Sequence, residues 1–450
     1  MTDRPSAGYV LVRGLTRFLL GLFYARIQVV GKENVPDSGP VIIAANHHNS
    51  VVDAMLLIAT IPRPLRILAN APLFRHPLIG PFLRLIRALP VHRRQEAGDD
   101  PAKNAALFDA TTEALHAEAA IAIFPEGRTQ PEPALLPVRT GAARMLLAAE
   151  AGRRNGPHVT LLPVGLVFDQ PGTFRGGRAL VQIGSRVDTS DCVDTAPARS
   201  VPTARALTDR LGDALRAQII EADDRETLRL LKLVEELWRG AEGEPVPEEA
   251  ARVRWLQGAM QTYRSLLRSD PEKVEAFRRA LEAFDAEAEA FGLGGARLSR
   301  IYSFPTVARF TATEGASLLL ATPLALLGLL LHGIPYRLTA FAVRKIPHTD
   351  EEEATDKIAA GLVLYPVAWA LEGWAVYALG GGRWLALFLL ALPVTGFFAL
   401  SWYERLEHVR KEARAFLRFL KDRDLVRRMR ERREDLAREL RALARLGETT

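Results

Sequence analysis

The sequence predicts an α/β domain with a mostly buried sheet flanked by helices, then a helical insertion and a C-terminal membrane-associated helical region. Three observations predict this order. Short apolar runs alternate with helical stretches up to about residue 190, as in domains built on a parallel sheet. Amphipathic segments fill residues 201–291, and long apolar runs occupy residues 316–402. A chain of 450 residues is also too long for one compact core, so several structural regions are expected.

The predicted strands are short apolar runs with turn residues between them. They are VIIAA at 41–45, LRILAN at 65–70, LPVHR at 89–93, AIAIFP at 120–125, TLLPVGLVF at 160–168 and ALVQIG at 179–184. Residues 102–119 and 138–152 have helical character and lie between strands. Alternation of this kind favours a sheet covered on both faces, and we place this domain at residues 31–195.

Residues 10–30 combine apolar positions with Arg13, Arg17 and Arg26 at helical spacing. We predict that residues 1–30 hold a helix lying on a membrane surface, with a helix docked on the core as the alternative. The first residues, MTDRPSAG, lack the features of a secretory signal, so we expect the domain at residues 31–195 to stay in the cytoplasm.

Residues 196–300 are predicted to form a helical insertion. The predicted helices are 202–221, 224–240, 247–268 and 271–291, with Pro202 and Pro271 at positions that suit helix starts. The sequence does not indicate what this insertion does.

Residues 301–403 are predicted to be transmembrane or re-entrant helices. Ala316 to Ile334 and Trp384 to Trp402 contain no formally charged residue, and Ile358 to Leu379 is apolar except for Glu372. The glycines at 380–382 suit a tight turn between two limbs of a helical hairpin. A wholly soluble hydrophobic bundle is the alternative.

The basic tail, residues 404–450, is predicted to be a cytoplasmic helix, because the positive-inside rule keeps Arg-rich segments on that side. The domain at residues 31–195 is expected on the same side, yet three full crossings would separate the two. We therefore expect the run at 316–334, which contains Pro323, to be re-entrant or interfacial.

The composition is that of a folded protein, with 48% hydrophobic and 25% charged residues. The net charge of +6 suits an anionic surface, and the apolar runs favour a phospholipid membrane over nucleic acid. Arginines in the tail alternate with acidic residues, as on a solvated helix, so no nucleic-acid partner is expected. The single cysteine, Cys192, excludes an intramolecular disulfide and a multi-cysteine metal cluster.

The segment AANHHNSVVDAMLL holds the first candidate catalytic residues. His48 is followed after four residues by Asp53, and a histidine can take a proton from an attacking alcohol while a carboxylate holds its other ring nitrogen. His47 is a rival base, one residue further from Asp53, and we prefer His48. Ser50 suits a helix N-cap, so Asp53 can equally serve to satisfy backbone N–H groups.

A second candidate region is FPEGRTQPEPALLPVRTGAARM, which follows a predicted strand. A loop beside a helix start can bind phosphate, and Arg128 and Arg139 can add charge-assisted hydrogen bonds. Glu126 could bind acceptor hydroxyls or hold an arginine. In RALPVHRR, Arg93 is a further candidate for phosphate or for anionic lipid.

Together these segments resemble the HxxxxD-motif glycerolipid acyltransferase family, the PlsC-like acyltransferases. The resemblance covers roughly residues 25–190 and rests on NHHNSVVD, LPVHR, FPEGRTQ and LLPVG in the family's order. The second region is most similar to the branch that acylates glycerol 3-phosphate or dihydroxyacetone phosphate. Two positions depart from the family: it often has Gly at position 87, and its Arg usually stands one residue after Arg128.

The resemblance implies a role for each matched residue. It implies His48 as base and Asp53 as its partner, Arg93, Glu126 and Gly127 around the acceptor phosphate, and Pro163 on the acyl-donor side. Arg128 and Arg139 are further substrate-binding candidates.

The predicted function is therefore transfer of a fatty acyl group from acyl-CoA or acyl carrier protein to glycerol 3-phosphate or dihydroxyacetone phosphate, in phospholipid biosynthesis. No metal and no tightly bound cofactor are expected, and acyl carrier protein is a candidate partner. Acylation of 1-acylglycerol 3-phosphate or another lysophospholipid is one alternative. A non-catalytic membrane scaffold is an alternative of another class.

Overall fold

The computed structural model describes residues 5–77, 79–91, 101–151, 153, 156–175, 177–195, 200–242, 248–291, 304–345, 349 and 352–448. The chain divides into two compact units. The first contains Met1–Asp224, Pro247–Arg254 and His348–Ile358, and the second contains Arg225–Val246, Trp255–Pro347 and Ala359–Thr450.

The first unit is an α/β domain. Its elements in chain order are α1 (Ala7–Phe23), β1 (Arg26–Val30), β2 (Val41–Ala45), α2 (Ser50–Thr60), β3 (Leu65–Asn70), α3 (Ile79–Leu85), β4 (Leu89–Val91), α4 (Pro101–His116), β5 (Ala120–Ile123), α5 (Gly141–Ala151), β6 (Thr160–Asp169), β7 (Arg178–Ile183), α6 (Ser190–Thr195) and α7 (Val201–Arg216). Short 3-10 helices lie at Lys32–Asn34 and Ala71–Arg75.

Within the described residues the strands form one seven-stranded sheet in the order β1-β7-β6-β2-β5-β3-β4. Only β6 and β7 pair antiparallel, and the other neighbours are parallel. All five residues of β2, VIIAA, are buried, as expected for a central strand with helices on both faces. One face packs against α1, α2 and α3, and the other against α4, α5 and α7.

The predicted fold class is confirmed, and all six predicted strands occur. Strand β1 was missed: residues 26–30 were predicted as the end of a helix, but α1 ends at Phe23 and Arg26 begins β1. The β-branched pair in RIQVV favours a strand, and pairing with β7 provides the backbone hydrogen bonds of β1, which is an edge strand of the sheet. A local helical pattern could not reveal that distant partner.

Helix α1 is docked on the domain through one face, with Tyr9, Val12, Leu20 and Phe23 in the core. Its opposite face exposes apolar side chains, among them Leu11 at 68%. Arg13, one of the arginines on which the interfacial prediction rested, donates to the carbonyl of Ile61 at the end of α2, over 2.6 Å. The alternative prediction of a helix docked on the core therefore holds for one face of α1. The exposed face has the composition of an interfacial helix.

The boundary predicted at residue 195 comes too early. Helix α7, which we assigned to the helical insertion, buries Leu207, Leu211 and Leu215 in the core that covers the sheet. Its amphipathic pattern could not indicate whether the buried face meets another helix or the sheet. The first residues of the helix at 249–269 also belong to this domain, where Val253 packs near Leu180 of β7.

The second unit is helical. Its helices are α8 (Arg225–Glu242), α9 (Glu249–Ser269), α10 (Pro271–Ala290), α11 (Phe304–Lys345), α12 (Glu353–Lys421) and α13 (Arg423–Glu448), where the first residues of α9 and α12 lie in the first unit. Helix α13 is not a free tail: Met429 and Leu436 share a core with Phe277 and Leu281 of α10. Arg432 also donates to Glu287 of α10 over 2.8 Å.

Two helices of this unit are long and apolar enough to cross a membrane, by length and composition: Ala312–Lys345 and Glu353–Glu407. Helix α12 breaks at Gly381, whose φ of 72° lies in the left-handed region. This is the turn predicted at 380–382, and Gly373 before it lies against Leu385 and Phe388 after it. Helix α11 continues through Pro323, and the re-entrant or interfacial placement of the run at 316–334 stays a prediction.

Candidate active site

The candidate site lies at the carboxyl ends of two neighbouring strands. β2 and β5 pair parallel, so the loops that follow Ala45 and Ile123 leave the sheet at the same edge. In open α/β sheets this edge is where ligands bind. The first loop carries the histidines and the second carries FPEG, so the topology brings together the two segments that sequence analysis selected.

His47 and Asp53 form the central contact of the site. His47 Nδ1 lies 2.9 Å from Asp53 Oδ2, with the histidine side chain 14% exposed and the carboxylate fully buried. The His47 ring stacks on Phe124, with ring centroids 4.1 Å apart and an angle of 14° between the planes. The ring is therefore held at one edge and on one face.

The contacts of Asp53 fix the tautomer of His47. Besides the imidazole, Oδ2 accepts the backbone N–H groups of His48 and Asn49, each over 2.7 Å. An ionised carboxylate only accepts hydrogen bonds, so Nδ1 of His47 carries the proton and Nε2 keeps its lone pair. An imidazole in this state can accept a proton at Nε2 while Asp53 stabilises the resulting cation.

This geometry corrects the preference for His48. The pairing predicted between His48 and Asp53 is observed for His47, whose spacing to Asp53 we had judged one residue too long. The chain turns sharply between β2 and α2, so residue spacing alone does not decide which ring reaches the carboxylate. His48 meets Asp53 through its backbone N–H, and its ring stacks on Phe168 with centroids 6.1 Å apart.

The capping role considered for Asp53 is also observed. Asp53 lies in the first turn of α2 and accepts backbone N–H groups from the residues that enter the helix. Asn49, not Ser50, is the N-cap, and Ser50 has a φ of 44°. Holding the helix start and orienting His47 are therefore two tasks of one carboxylate, not alternatives.

Glu126 connects the two loops. Its Oε1 accepts the backbone N–H of His47 over 2.7 Å and its Oε2 that of Leu136 over 2.9 Å. The side chain is 3% exposed, and burial raises the pKa of this carboxyl above its ordinary value. In the structure both oxygens accept backbone donors and so join the two loops, and the contact of Glu126 with acceptor hydroxyls stays a prediction.

Gly127 and Arg139 lie together at the surface of the site. Gly127 has a φ of 74°, and a Cβ added to it would lie 2.9 Å from Nε of Arg139. The backbone N–H of Arg139 donates to the carbonyl of Pro125 over 2.9 Å. A glycine at position 127 therefore allows the arginine to pack against the turn. Arg128 is exposed, and within the described residues it is not among those lining the cleft.

The other predicted site residues have different outcomes. Arg93 lies outside the described residues. Pro163 is buried in β6, where it is aligned with Ala44 of β2, and it is not on the described part of the cleft wall. Arg87 has a φ of 54°, a left-handed conformation that glycine adopts readily.

A cleft of about 1330 Å³ opens beside His47. On its histidine side it is lined by His47, Ser50 and Val51, and on its arginine side by Arg139, Arg144 and Arg205. Arg144 lies over the ring of Phe108, 5.0 Å from the centroid. Acidic side chains also line the cleft at Asp109 and Glu352, and apolar ones line it along β3, α3 and α4.

Three residues of the site were missed from the sequence. Asn46 exchanges two hydrogen bonds with the backbone of Leu166 in β6 and so fixes the end of β2. Asn49 donates its side-chain amide to Tyr24, and both are 1% exposed. The two asparagines stand inside NHHNSVVD and could have been suspected there, whereas no sequence signal pointed to Tyr24.

Comparisons with known proteins cover the stretch that contains this site. The family model Acyltransferase matches residues 26–167. An uncharacterised acyltransferase of Schizosaccharomyces pombe is 25% identical over 309 residues, which cover 50% of this chain and 46% of that protein. The 1-acyl-sn-glycerol-3-phosphate acyltransferase of Borreliella burgdorferi is 30% identical over 119 residues, 26% of this chain and 45% of that protein.

Glycerol-3-phosphate O-acyltransferase 2 of Saccharomyces cerevisiae is 26% identical over 140 residues, 30% of this chain and 18% of that protein. The chain thus spans about half the length, or less, of these relatives. A crystal structure of the 1-acyl-sn-glycerophosphate acyltransferase PlsC from Thermotoga maritima is 19% identical and covers 48% of this chain and 83% of that one. The TM-score of the two structures is 0.36. The matched stretch contains both loops of the site, and we conclude that residues 26–167 form an acyltransferase-family domain.

Proposed function

We propose that the protein is a membrane-bound O-acyltransferase that moves a fatty acyl group from a thioester to a phosphate-bearing alcohol, with glycerol 3-phosphate or dihydroxyacetone phosphate as acceptor. The single observation that carries the proposal is the His47–Asp53 pair, 2.9 Å apart at the edge of a cleft in an acyltransferase-family domain.

The proposed reaction uses His47 as general base and general acid. Nε2 takes the proton of the acceptor hydroxyl as its oxygen attacks the thioester carbonyl carbon. The tetrahedral intermediate collapses, the C–S bond breaks, and the imidazolium returns the proton to the departing sulfur. Asp53 orients the ring and stabilises its charged form throughout.

The arginine side of the cleft supports a phosphate-bearing acceptor. Arg139 lines the cleft, and within the described part of the chain it forms no ion pair that would occupy its guanidinium. Arginine binds phosphate through charge-assisted hydrogen bonds in a planar arrangement. Since a glycerol phosphate is far smaller than the cleft, the remaining space and its apolar lining suit the acyl donor.

The membrane part of the proposal rests on contacts within each unit. The run at 316–334 within α11 stays a predicted re-entrant or interfacial segment, which would keep residues 248–254 before it and 352–358 after it on one side of the membrane. Helices α10 and α13 share a core, so the chain between them crosses an even number of times. We propose that the two limbs of α12 supply two crossings and that the catalytic domain faces the cytoplasm.

This arrangement can be tested with single cysteines. Cys192 is buried, so a Cys192→Ala background is suitable, and Gly382→Cys beside the turn of α12 has open space around its Cβ. An impermeant maleimide should label Gly382→Cys from the periplasmic or outer side only. Labelling from the cytoplasmic side would show that the hairpin does not span.

The central test of function is an acceptor assay on the purified full-length protein in lipid nanodiscs. Labelled acyl-CoA and acyl carrier protein thioester are each offered with glycerol 3-phosphate, dihydroxyacetone phosphate or 1-acylglycerol 3-phosphate. We expect acylated product with one of the first two acceptors. Product only with 1-acylglycerol 3-phosphate would replace the acceptor assignment, and no transfer to any of the three would overturn the proposal.

A further inference from the structure

The candidate site has a buried support that comes from outside the matched stretch. Tyr24 directly follows α1, and its backbone N–H donates to Leu20 as the C-cap of that helix. Its side chain is 1% exposed and packs near Phe23 and Phe168, with centroids 5.1 and 5.9 Å away. The family match begins two residues later, at residue 26.

The direction of each hydrogen bond around Tyr24 follows from the available partners. The Tyr24 hydroxyl donates to the carbonyl of Pro171 over 3.0 Å, because a carbonyl can only accept. Its oxygen is then the acceptor for Nδ2 of Asn49, 2.8 Å away. Burial raises the pKa of Tyr24, so it remains a neutral phenol over the working pH range.

Asn49 connects Tyr24 to the proposed catalytic pair through hydrogen bonds. Its side chain is fixed by Tyr24, and its backbone N–H donates to Asp53 Oδ2, the same oxygen that contacts His47. The next residue, Ser50, has a φ of 44°, so the loop holds a backbone conformation that is unfavourable for a side-chain-bearing residue. Such a conformation persists only where the surroundings hold it in place.

We propose that Tyr24 and Asn49 are positioning residues of the acyl-transfer site: they hold the loop so that Asp53 Oδ2 keeps His47 in its base-competent tautomer. This inference rests on the function proposed above. It assigns to the end of α1 a part in catalysis, although Tyr24 itself does not line the described cleft.

Tyr9 offers a matched control for Tyr24. It is also a buried tyrosine of the α1 segment, 3% exposed, and its hydroxyl accepts the backbone N–H of Leu65 over 3.0 Å. It also donates to the carbonyl of Arg63. Tyr9→Phe therefore removes a hydroxyl with similar burial and similar partners, but one that bonds β3 instead of the catalytic loop.

The test compares Tyr24→Phe, Asn49→Ala, the double variant and Tyr9→Phe in the full-length protein, once wild-type transfer has been measured. We expect Tyr24→Phe to lower kcat about 10-fold with little change in KM for the acceptor, and Asn49→Ala to lower it more. The acidic limb of the kcat/KM profile should move to lower pH, because a loosened Asp53 stabilises the imidazolium less. Tyr9→Phe should leave kcat and this profile unchanged.

The double variant separates positioning from general destabilisation. If Tyr24 acts through Asn49, Tyr24→Phe has no further effect in the Asn49→Ala background. Equal loss of kcat in Tyr9→Phe, or additive losses in the double variant, would overturn the inference. Should Asn49→Ala not fold, the pair Tyr24→Phe and Tyr9→Phe still decides. An inactive wild type would instead count against the proposed function.

Discussion

The histidine and arginine sides of the cleft are held in different ways. His47 is bonded at its ring by Asp53 and at its backbone N–H by Glu126, and its carbonyl accepts the N–H of Gln130. The backbone N–H of Arg139 donates to the carbonyl of Pro125, and its exposed side chain packs on Gly127. In the proposed reaction the base would therefore be held in one position by several hydrogen bonds, whereas the acceptor would be bound by a long, exposed arginine side chain.

The comparison of the two sides of the cleft predicts that substitution of His47 has the largest effect on kcat. His47→Ala removes the proposed base, and we expect kcat to fall about 10³-fold or more while the protein still folds. His48→Ala keeps the backbone N–H that bonds Asp53, so its loss should be far smaller. The measurement is single-turnover acyl transfer by the two variants, and circular dichroism checks that each variant folds. A larger loss in His48→Ala than in His47→Ala would restore the original assignment of His48.

The next effect concerns the link between the two loops. Glu126→Gln keeps the size of the side chain but places an amide N–H₂ against one of two backbone N–H donors. We expect a loss of about 1–3 kcal/mol in the free energy of unfolding and a reduced kcat, because His47 moves with its backbone. Denaturant unfolding and kcat are measured on the same preparation. An unchanged kcat in a destabilised variant would show that Glu126 serves the fold alone.

These contacts also show what the sequence could and could not provide. The short apolar runs rich in β-branched residues predicted β2 and β5, because local composition is enough to indicate a buried strand. The parallel order of those strands then explains why the loops meet, which separated blocks such as NHHNSVVD and FPEGRTQ only suggested. The choice between His47 and His48 depends on φ and ψ in a turn with a left-handed Ser50, and the local sequence does not determine that conformation.

The role of Tyr24 was invisible for a related reason. Its contact with Asn49 joins residues 25 positions apart, and a tyrosine at the end of an apolar helix has many ordinary explanations. Arg128 and Arg139 looked equivalent in sequence, since both are arginines near FPEG. The fold distinguishes them, because only Arg139 packs on Gly127 and lines the described cleft.

On the arginine side we expect effects on binding and not on turnover. Arg139→Ala should raise KM for a phosphate-bearing acceptor about 10-fold or more with little change in kcat, since one charge-assisted hydrogen bond is lost. Arg128→Ala, a neighbouring exposed arginine outside the described cleft lining, is the matched control and should change KM less than about threefold. Steady-state kinetics with each acceptor provide the comparison. Equal effects of the two substitutions would mean that general charge attraction, not a defined contact, recruits the acceptor.

The smallest expected effect is a pH dependence of stability carried by Glu126 and absent from the arginine side. Because burial raises the pKa of Glu126 in the folded protein, the folded state binds more protons than the unfolded state over the interval between the two pKa values. Its contribution to stability is therefore full below the unfolded pKa and decreases as pH rises through that interval. Thermal melts of the wild type and Glu126→Gln are measured across a pH series. The Tm of the wild type should fall relative to that of the variant as pH rises. The opposite slope would mean that the hydrogen bonds from the backbone N–H groups of His47 and Leu136 outweigh burial in their effect on the pKa of Glu126. The link between the two loops would then be strongest when Glu126 is ionised.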